Sequence, residues 1–275
     1  MYLDHFGLSE LPFGITPDTS FIFGTRSHQE ALNTLLVAVN GGEGFIKIAG
    51  EVGTGKTLLC RRLLQALPAG VISAYLPNPY LAPRTLMLAL AEELQLPVDA
   101  AADDYHLLQS LNRALLDHAA AGRAVVLCID EAQAMPLETL EALRLLSNLE
   151  TEKRKLLQIV LFGQPELDEK LAQPSVRQLR QRIAFHYRLQ GLARDEVANY
   201  LAHRLRVAGF RGDDLFSGAA VRGLHRASGS TPRLLNILAH KSLLAVFGEG
   251  RRQVRGGHVR RAAADTEGAR APGWW

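Results

Sequence analysis

The sequence predicts a three-layer α/β/α domain built on a parallel sheet, followed by a small all-helical domain. Three observations carry this. Short apolar runs alternate with helix-periodic stretches between residues 27 and 189. The stretch GEVGTGKT, Gly50 to Thr57, joins one such run to an amphipathic stretch. Past Gly191 the strand-like runs stop, and segments of helical period follow, separated by glycines.

The elements follow in order. Residues 1–25 are an aromatic-rich lead-in, in which Phe6, Phe13, Phe21 and Phe23 alternate with the turn residues Pro12, Gly14, Pro17 and Asp18. A helix is expected from Ser27 to Val39, with Ser27 as N-cap and Glu30 three residues on. Strands are expected at Phe45–Ala49, Val71–Leu76, Ala124–Ile129 and Leu156–Phe162, with a weaker one at Phe185–Leu189. The run AVVLCI is apolar throughout, as suits a strand covered on both faces. Helices are expected at Arg84–Leu94, Tyr105–Ala121 and Leu137–Leu149, then at Arg194–Ala208, Ser217–Ser228 and Pro232–Phe247. These divide the chain into a lead-in (1–25), a core (26–191), a helical lid (192–250) and a tail (251–275) expected to be basic and disordered.

A hydrophobic content of 47% with 21% charged residues reads as globular. No signal peptide and no bilayer-spanning stretch is expected. Cys60 and Cys128 read as reduced core thiols of a cytosolic protein. The net charge of +3 hides an asymmetry: residues 1–176 balance to −8 and residues 177–275 to +11. Two solvated surfaces, an acidic half docking on a neighbour's basic half, a nucleic-acid surface and an anionic membrane surface all fit that asymmetry.

The chemistry begins at the loop. Its spacing fits G-x-x-x-x-G-K-[ST]. Gly53 and Gly55 permit the backbone turns that aim successive N–H groups at phosphate oxygens. A helix starting near Lys56 adds the positive end of its dipole. Lys56 can reach the β- and γ-phosphates, and the Thr57 hydroxyl can ligate Mg²⁺. The nucleotide-binding set is therefore Gly50, Glu51, Val52, Gly53, Thr54, Gly55, Lys56, Thr57 and Leu58. Downstream, VVLCIDE ends an apolar strand in two carboxylates: Asp130 to hold Mg²⁺ and Glu131 to polarise the attacking water. Gln164, at the end of the next strand, is placed to reach the γ-phosphate or that water. Arg177, Arg180 and Arg182 precede the last strand; Arg180 and Arg182 are the choices for an arginine supplied across a subunit interface. In GSTPRLLN, Thr231 and Pro232 suit the N-cap and first position of a helix. Arg233 then opposes the helix dipole, which points to another task, such as a phosphate.

The loop, VVLCIDE, the arginines before the last strand and GSTPRLLN, in this order, resemble an AAA+ ATPase. The opening MYLDHFGLSELPFGITPDTSFIFGTRSHQEAL, running into GFIKIAGEVGTGKTLLCRRLL, is similar to the ExeA/GspA-type secretion ATPases. Within these it looks nearest to the MshM-type ATPases of MSHA type IV pilus biogenesis. The resemblance covers about residues 1–250. It implies Walker A at Gly50–Thr57, Walker B at Asp130 and Glu131, sensor 1 at Gln164 and sensor 2 at Arg233. It implies ATP and Mg²⁺ as cofactors and a homo-oligomer with ATP sites between subunits. It also implies inner-membrane pilus or secretion proteins as partners, with a cytoplasmic, peripheral location. For Phe6, Pro12 and Phe13 it leaves two places open, near the adenine or packed on the domain. ExeA itself continues into a membrane span and a peptidoglycan-binding domain that this sequence lacks, so any membrane role is expected to be peripheral or through a partner. Two other readings share the core: a DNA-associated ATPase of the transposition-regulator (TniB- or TnsC-like) type, less favoured, and a nucleotide-gated switch with little turnover. Glu131 argues against the last.

Overall fold

The computed structural model describes residues 2–16, 19–21, 23–97, 103–150 and 155–270. Pro17 and Asp18 lie outside them. Strands β1 (Phe45–Ala49), β2 (Val71–Leu76), β3 (Ala124–Ile129), β4 (Leu157–Gly163) and β5 (Ile183–Arg188) form one sheet in the order β2-β3-β4-β1-β5. Every pairing is parallel. The helices are α1 (Leu3–Phe6), α2 (Arg26–Asn40), α3 (Lys56–Ala66), α4 (Pro83–Glu93), α5 (Asp104–Ala120) and α6 (Leu137–Leu146). They continue with α7 (Pro165–Leu171), α8 (Arg177–Gln181), α9 (Arg194–Val207), α10 (Gly218–Ser228), α11 (Pro232–Gly248) and α12 (Gly256–Ala264).

The described residues form two compact units. One comprises His28–Glu51 and Leu59–Leu189; the other comprises Met1–Ser27, Val52–Leu58 and Gln190–Trp275.

The first unit holds the sheet, and period-two alternation along its strands feeds two cores. On one face Val125, Leu127 and Ile129 of β3 and Ile159 and Leu161 of β4 meet Leu86, Leu107, Leu111 and Leu140 of the helices. On the other, Val126, Cys128, Val160, Ile46 and Ile48 meet Leu35, Leu59 and Leu63. The apolar run AVVLCI is therefore a strand covered on both faces, as its composition predicts. Burial of each such leucine stabilises by about 1.5–3 kcal/mol. Helix starts are fixed locally: Pro83 and Pro165 open α4 and α7, and the Asp103 carboxylate accepts the His106 N–H at 2.9 Å. Lys47 is the exception inside β1. Its side chain is 10% exposed and pairs with Asp168 of α7.

The second unit is a helical bundle that captures the lead-in. Phe6, Phe13 and Phe21 are buried among Leu201, Leu224, Leu238 and Leu243. The Arg204 guanidinium lies 4.6 Å from the centre of the Phe21 ring and donates to the Pro12 carbonyl. Asn236 donates to the Gly14 carbonyl at 3.1 Å, and the Tyr2 hydroxyl meets His240 Nδ1 at 2.8 Å. Of the two places left open for Phe6, Pro12 and Phe13, packing on the helical unit accounts for all three, which are buried in it.

Two expectations are corrected. Ser27 does not cap α2, which begins at Arg26; its hydroxyl instead accepts the Gln190 N–H at 3.0 Å. The stretch 251–275 is not irregular throughout. Gly256–Ala264 is helical and buries His258, Val259, Ala262 and Ala263, with the His258 ring against Glu249 at 3.1 Å. Thr231 stands at the N-cap of α11, but its side chain makes no capping bond.

Candidate nucleotide site

The phosphate-loop sequence leaves the sheet at the end of β1. The Gly50 N–H donates to the Gly163 carbonyl at 3.1 Å, which ties the start of the loop to the tip of β4. Glu51 turns its carboxylate toward Arg188, 3.7 Å away. Gly53 and Gly55 have φ of +79° and +91°, the left-handed region their sequence positions were expected to need. Thr54 and Lys56 are buried, Val52 is exposed, and α3 begins at Lys56, so Thr57 and Leu58 lie in its first turn. A helix start after two left-handed glycines is an anion-binding geometry.

Arg233 belongs to the same unit as Val52–Leu58 and stands against the loop. A Cβ built on Gly53 would lie 2.5 Å from Arg233 Cβ and 3.2 Å from Thr231 Cγ2. Only glycine fits there, and the start of α11 carries Arg233 to the loop backbone.

Within the sheet-bearing unit, the carboxyl ends of β3 and β4 carry a polar set. Asp130 is buried, its N–H bonds the Leu76 carbonyl at 3.0 Å, and its Oδ1 accepts the Glu131 N–H at 2.9 Å. Glu131 has φ +51°, a costly conformation for a residue with a Cβ and one that clusters at functional sites. Its Oε2 accepts from Gln164 Nε2 at 2.9 Å and from Gln133 Nε2 at 2.5 Å. Gln133 Oε1 in turn accepts the Gln164 N–H at 3.0 Å. The structure thus brings Glu131 and Gln164 together and adds Gln133, which sequence reasoning missed. An isolated glutamine two residues past a carboxylate pair carries no periodic signal. Tyr75, at the end of β2, is pushed up to about 12 by burial, with Asp130 adding to the effect. Cys60 and Cys128 are both buried free cysteines, and the Cys60 thiol is driven upward by its hydrogen bond with Cys128 and by burial.

The three arginines are separated. Arg182 Nη1 donates to Ser147 Oγ at 2.7 Å. Arg180 lines an open cavity of about 370 Å³ with Lys47, Asp168 and His186. Arg177 is exposed on α8.

A family model described as an AAA domain matches residues 39–171. Over all 275 residues the chain is 44% identical to General secretion pathway protein A of Aeromonas hydrophila. It spans 50% of that relative's length. Drosophila ORC bound to DNA superposes with a TM-score of 0.68 at 18% identity, over 92% of this chain and 64% of that one. Cdc6p from Pyrobaculum aerophilum gives 0.66 at 17%, over 91% and 71%. The Thermotoga maritima RuvB branch migration motor gives 0.56 at 17%, over 88% and 69%. At these identities the structural likeness shows the fold. The fold is that of the AAA+ P-loop proteins, and the AAA domain model falls on its sheet-bearing part. The similarity to General secretion pathway protein A runs along the full length of this chain.

Proposed function

We propose that this protein binds ATP with Mg²⁺ and hydrolyses it. The observation that carries hydrolysis, beyond binding alone, is the Glu131 carboxylate held at the β3 tip by Gln164. Both amides bond Oε2, and Oε1 has no partner among the described residues. Oε1 is the atom that takes the proton of the attacking water as that water's oxygen bonds the γ-phosphorus and the bond to the β-phosphate oxygen breaks. Lys56 and the loop N–H groups hold the phosphates, and Arg233 adds a cation beside Gly53. The Thr57 hydroxyl and the Asp130 carboxylate are hard oxygen donors that fit Mg²⁺, which would supply charge neutralisation on the phosphates. Gln164 serves as the γ-phosphate sensor. Arg180, on an open cavity, serves a neighbouring subunit's site; Arg182, tied to Ser147, serves the fold.

The identity to General secretion pathway protein A supports a secretion-related role. Among the described residues no helix is long and apolar enough to cross a membrane. We place the protein at the cytoplasmic face of the inner membrane, as a homo-oligomer supporting MSHA-type type IV pilus assembly or related secretion machinery. The finer assignment rests on the lead-in residues. ATP turnover per subunit, measured against protein concentration in wild type and Glu131→Gln, tests the chemistry. Turnover that rises with concentration and vanishes in the variant supports shared sites. Equal turnover in both refutes the role of Glu131. Normal pilus assembly in a strain carrying Glu131→Gln refutes the pilus role.

One observation favours the DNA-associated reading as a second choice. Arg194, Arg206 and Arg222 line an open groove of about 910 Å³ that Asp213 and Asp214 also line, and the three arginines form no ion pair among the described residues. DNA affinity that falls steeply with salt would support it.

A further inference from the structure

The geometry points to Gln133 as the positioning residue for Glu131, an inference that rests on the proposed hydrolysis. Gln133 lies in the single 3₁₀ turn Ala132–Ala134 that follows Glu131. That turn is closed by the Ala134 N–H on the Glu131 carbonyl at 2.8 Å. One primary amide then spans two strand tips: its nitrogen donates to Glu131 Oε2 at 2.5 Å, and its oxygen accepts the Gln164 N–H at 3.0 Å. The second bond anchors the first, because the Gln164 backbone is fixed where β4 passes into α7.

Glu131 needs such a holder. A free glutamate side chain loses about 1.5–2 kcal/mol of rotamer entropy when it is fixed in one pose. Gln164 also holds it, but Gln164 is assigned to the γ-phosphate. Once its amide turns to a phosphate oxygen, Gln133 alone keeps the carboxylate in place. The left-handed backbone of Glu131 fixes where the side chain starts, and Gln133 fixes where it ends.

Gln133→Glu separates positioning from structure. It keeps the length and an oxygen that accepts the Gln164 N–H, and it replaces the donor to Glu131 with a repelling carboxylate. The expected result is a kcat reduced about 10–100-fold, since a displacement of about 1 Å costs on the order of 100-fold. KM for ATP stays at the wild-type value, with turnover read per folded molecule because the repulsion also lowers the melting temperature. A kcat within twofold of wild type, a kcat above it, or a KM that rises in step overturns the inference. If Glu131→Gln turns over like wild type, the hydrolytic reading itself fails, which is a separate outcome. A readout without turnover uses protein labelled with ¹⁵N-glutamine. The Gln133 side-chain amide resonance should move in Glu131→Gln, and an unmoved resonance overturns the contact.

Discussion

Replacing Gly53 by alanine tests the contact that puts Arg233 on the phosphate loop. Two costs apply. At φ +79° an L-residue stands in the left-handed region, at about 1–2 kcal/mol. The new methyl would also lie 2.5 Å from Arg233 Cβ, an atom that cannot swing aside without moving the first turn of α11. Overpacking of that kind adds about 1–3 kcal/mol. Gly7 supplies the control, since it has φ +66° and nothing within 4 Å of its built Cβ. Gly7→Ala should therefore cost about 1–2 kcal/mol and Gly53→Ala about 2–5 kcal/mol. At roughly 2–4 °C of melting temperature per kcal/mol, calorimetry resolves the difference. A fluorescent ATP analogue should bind Gly53→Ala at least tenfold more weakly, about 1.4 kcal/mol, and bind Gly7→Ala normally. Equal melting temperatures for the two variants, or unaltered nucleotide affinity in Gly53→Ala, would refute the argument.

Four other expectations follow from the geometry and the histidines. Arg180→Ala should reduce ATP turnover without lowering nucleotide affinity, and mixing it with Lys56→Ala should restore part of the activity. Arg182→Ala should instead lower the melting temperature through loss of the Ser147 bond, with turnover per folded molecule retained. Asp168→Asn should destabilise by about 1–3 kcal/mol, less than a fully buried pair because Asp168 is 41% exposed, by leaving the Lys47 ammonium without its counter-charge; urea titration measures it. Stability should fall on acidification. Burial lowers His186, His225 and His240 below their ordinary 6.5, and His225 is lowered further by Arg194, Arg226 and Arg270. Their folded forms stay neutral where the unfolded chain takes up protons. Their contribution is complete above about 6.5 and is lost as the pH falls below it, toward the lowered folded values. A denaturation midpoint that is flat between pH 7.5 and 5.5 would contradict this.

The strands were legible because their residues are apolar and β-branched over one strand length, and the site because its spacing is short-range. Gly50–Thr57 and Asp130–Glu131 can be read within a few residues. What escaped depends on partners far along the chain. Lys47 meets Asp168 across 121 residues, and nothing near FIKIA announces it. Arg180 and Arg182 are alike in sequence, and only the Ser147 hydroxyl tells them apart. Helix α12 offers a small buried face of Val259, Ala262 and Ala263, too weak a periodic signal against its arginines; α10 and α11 give it a surface to bury. Ser27 has the residue type of an N-cap, yet a tertiary bond to Gln190 claims its hydroxyl.

The helical unit is stitched from residues 2–27 and 190–270, and that fixes an order of events during synthesis. The sheet-bearing residues between them emerge from the ribosome before residues 190–270 and can assemble among themselves. The aromatic rings of Phe6, Phe13 and Phe21 cannot. Their cover, α9 to α12, is still untranslated. At roughly 5–20 residues per second, the intervening stretch of about 160 residues keeps them waiting for on the order of ten seconds. Until those helices are made, the newborn chain carries the three rings uncovered.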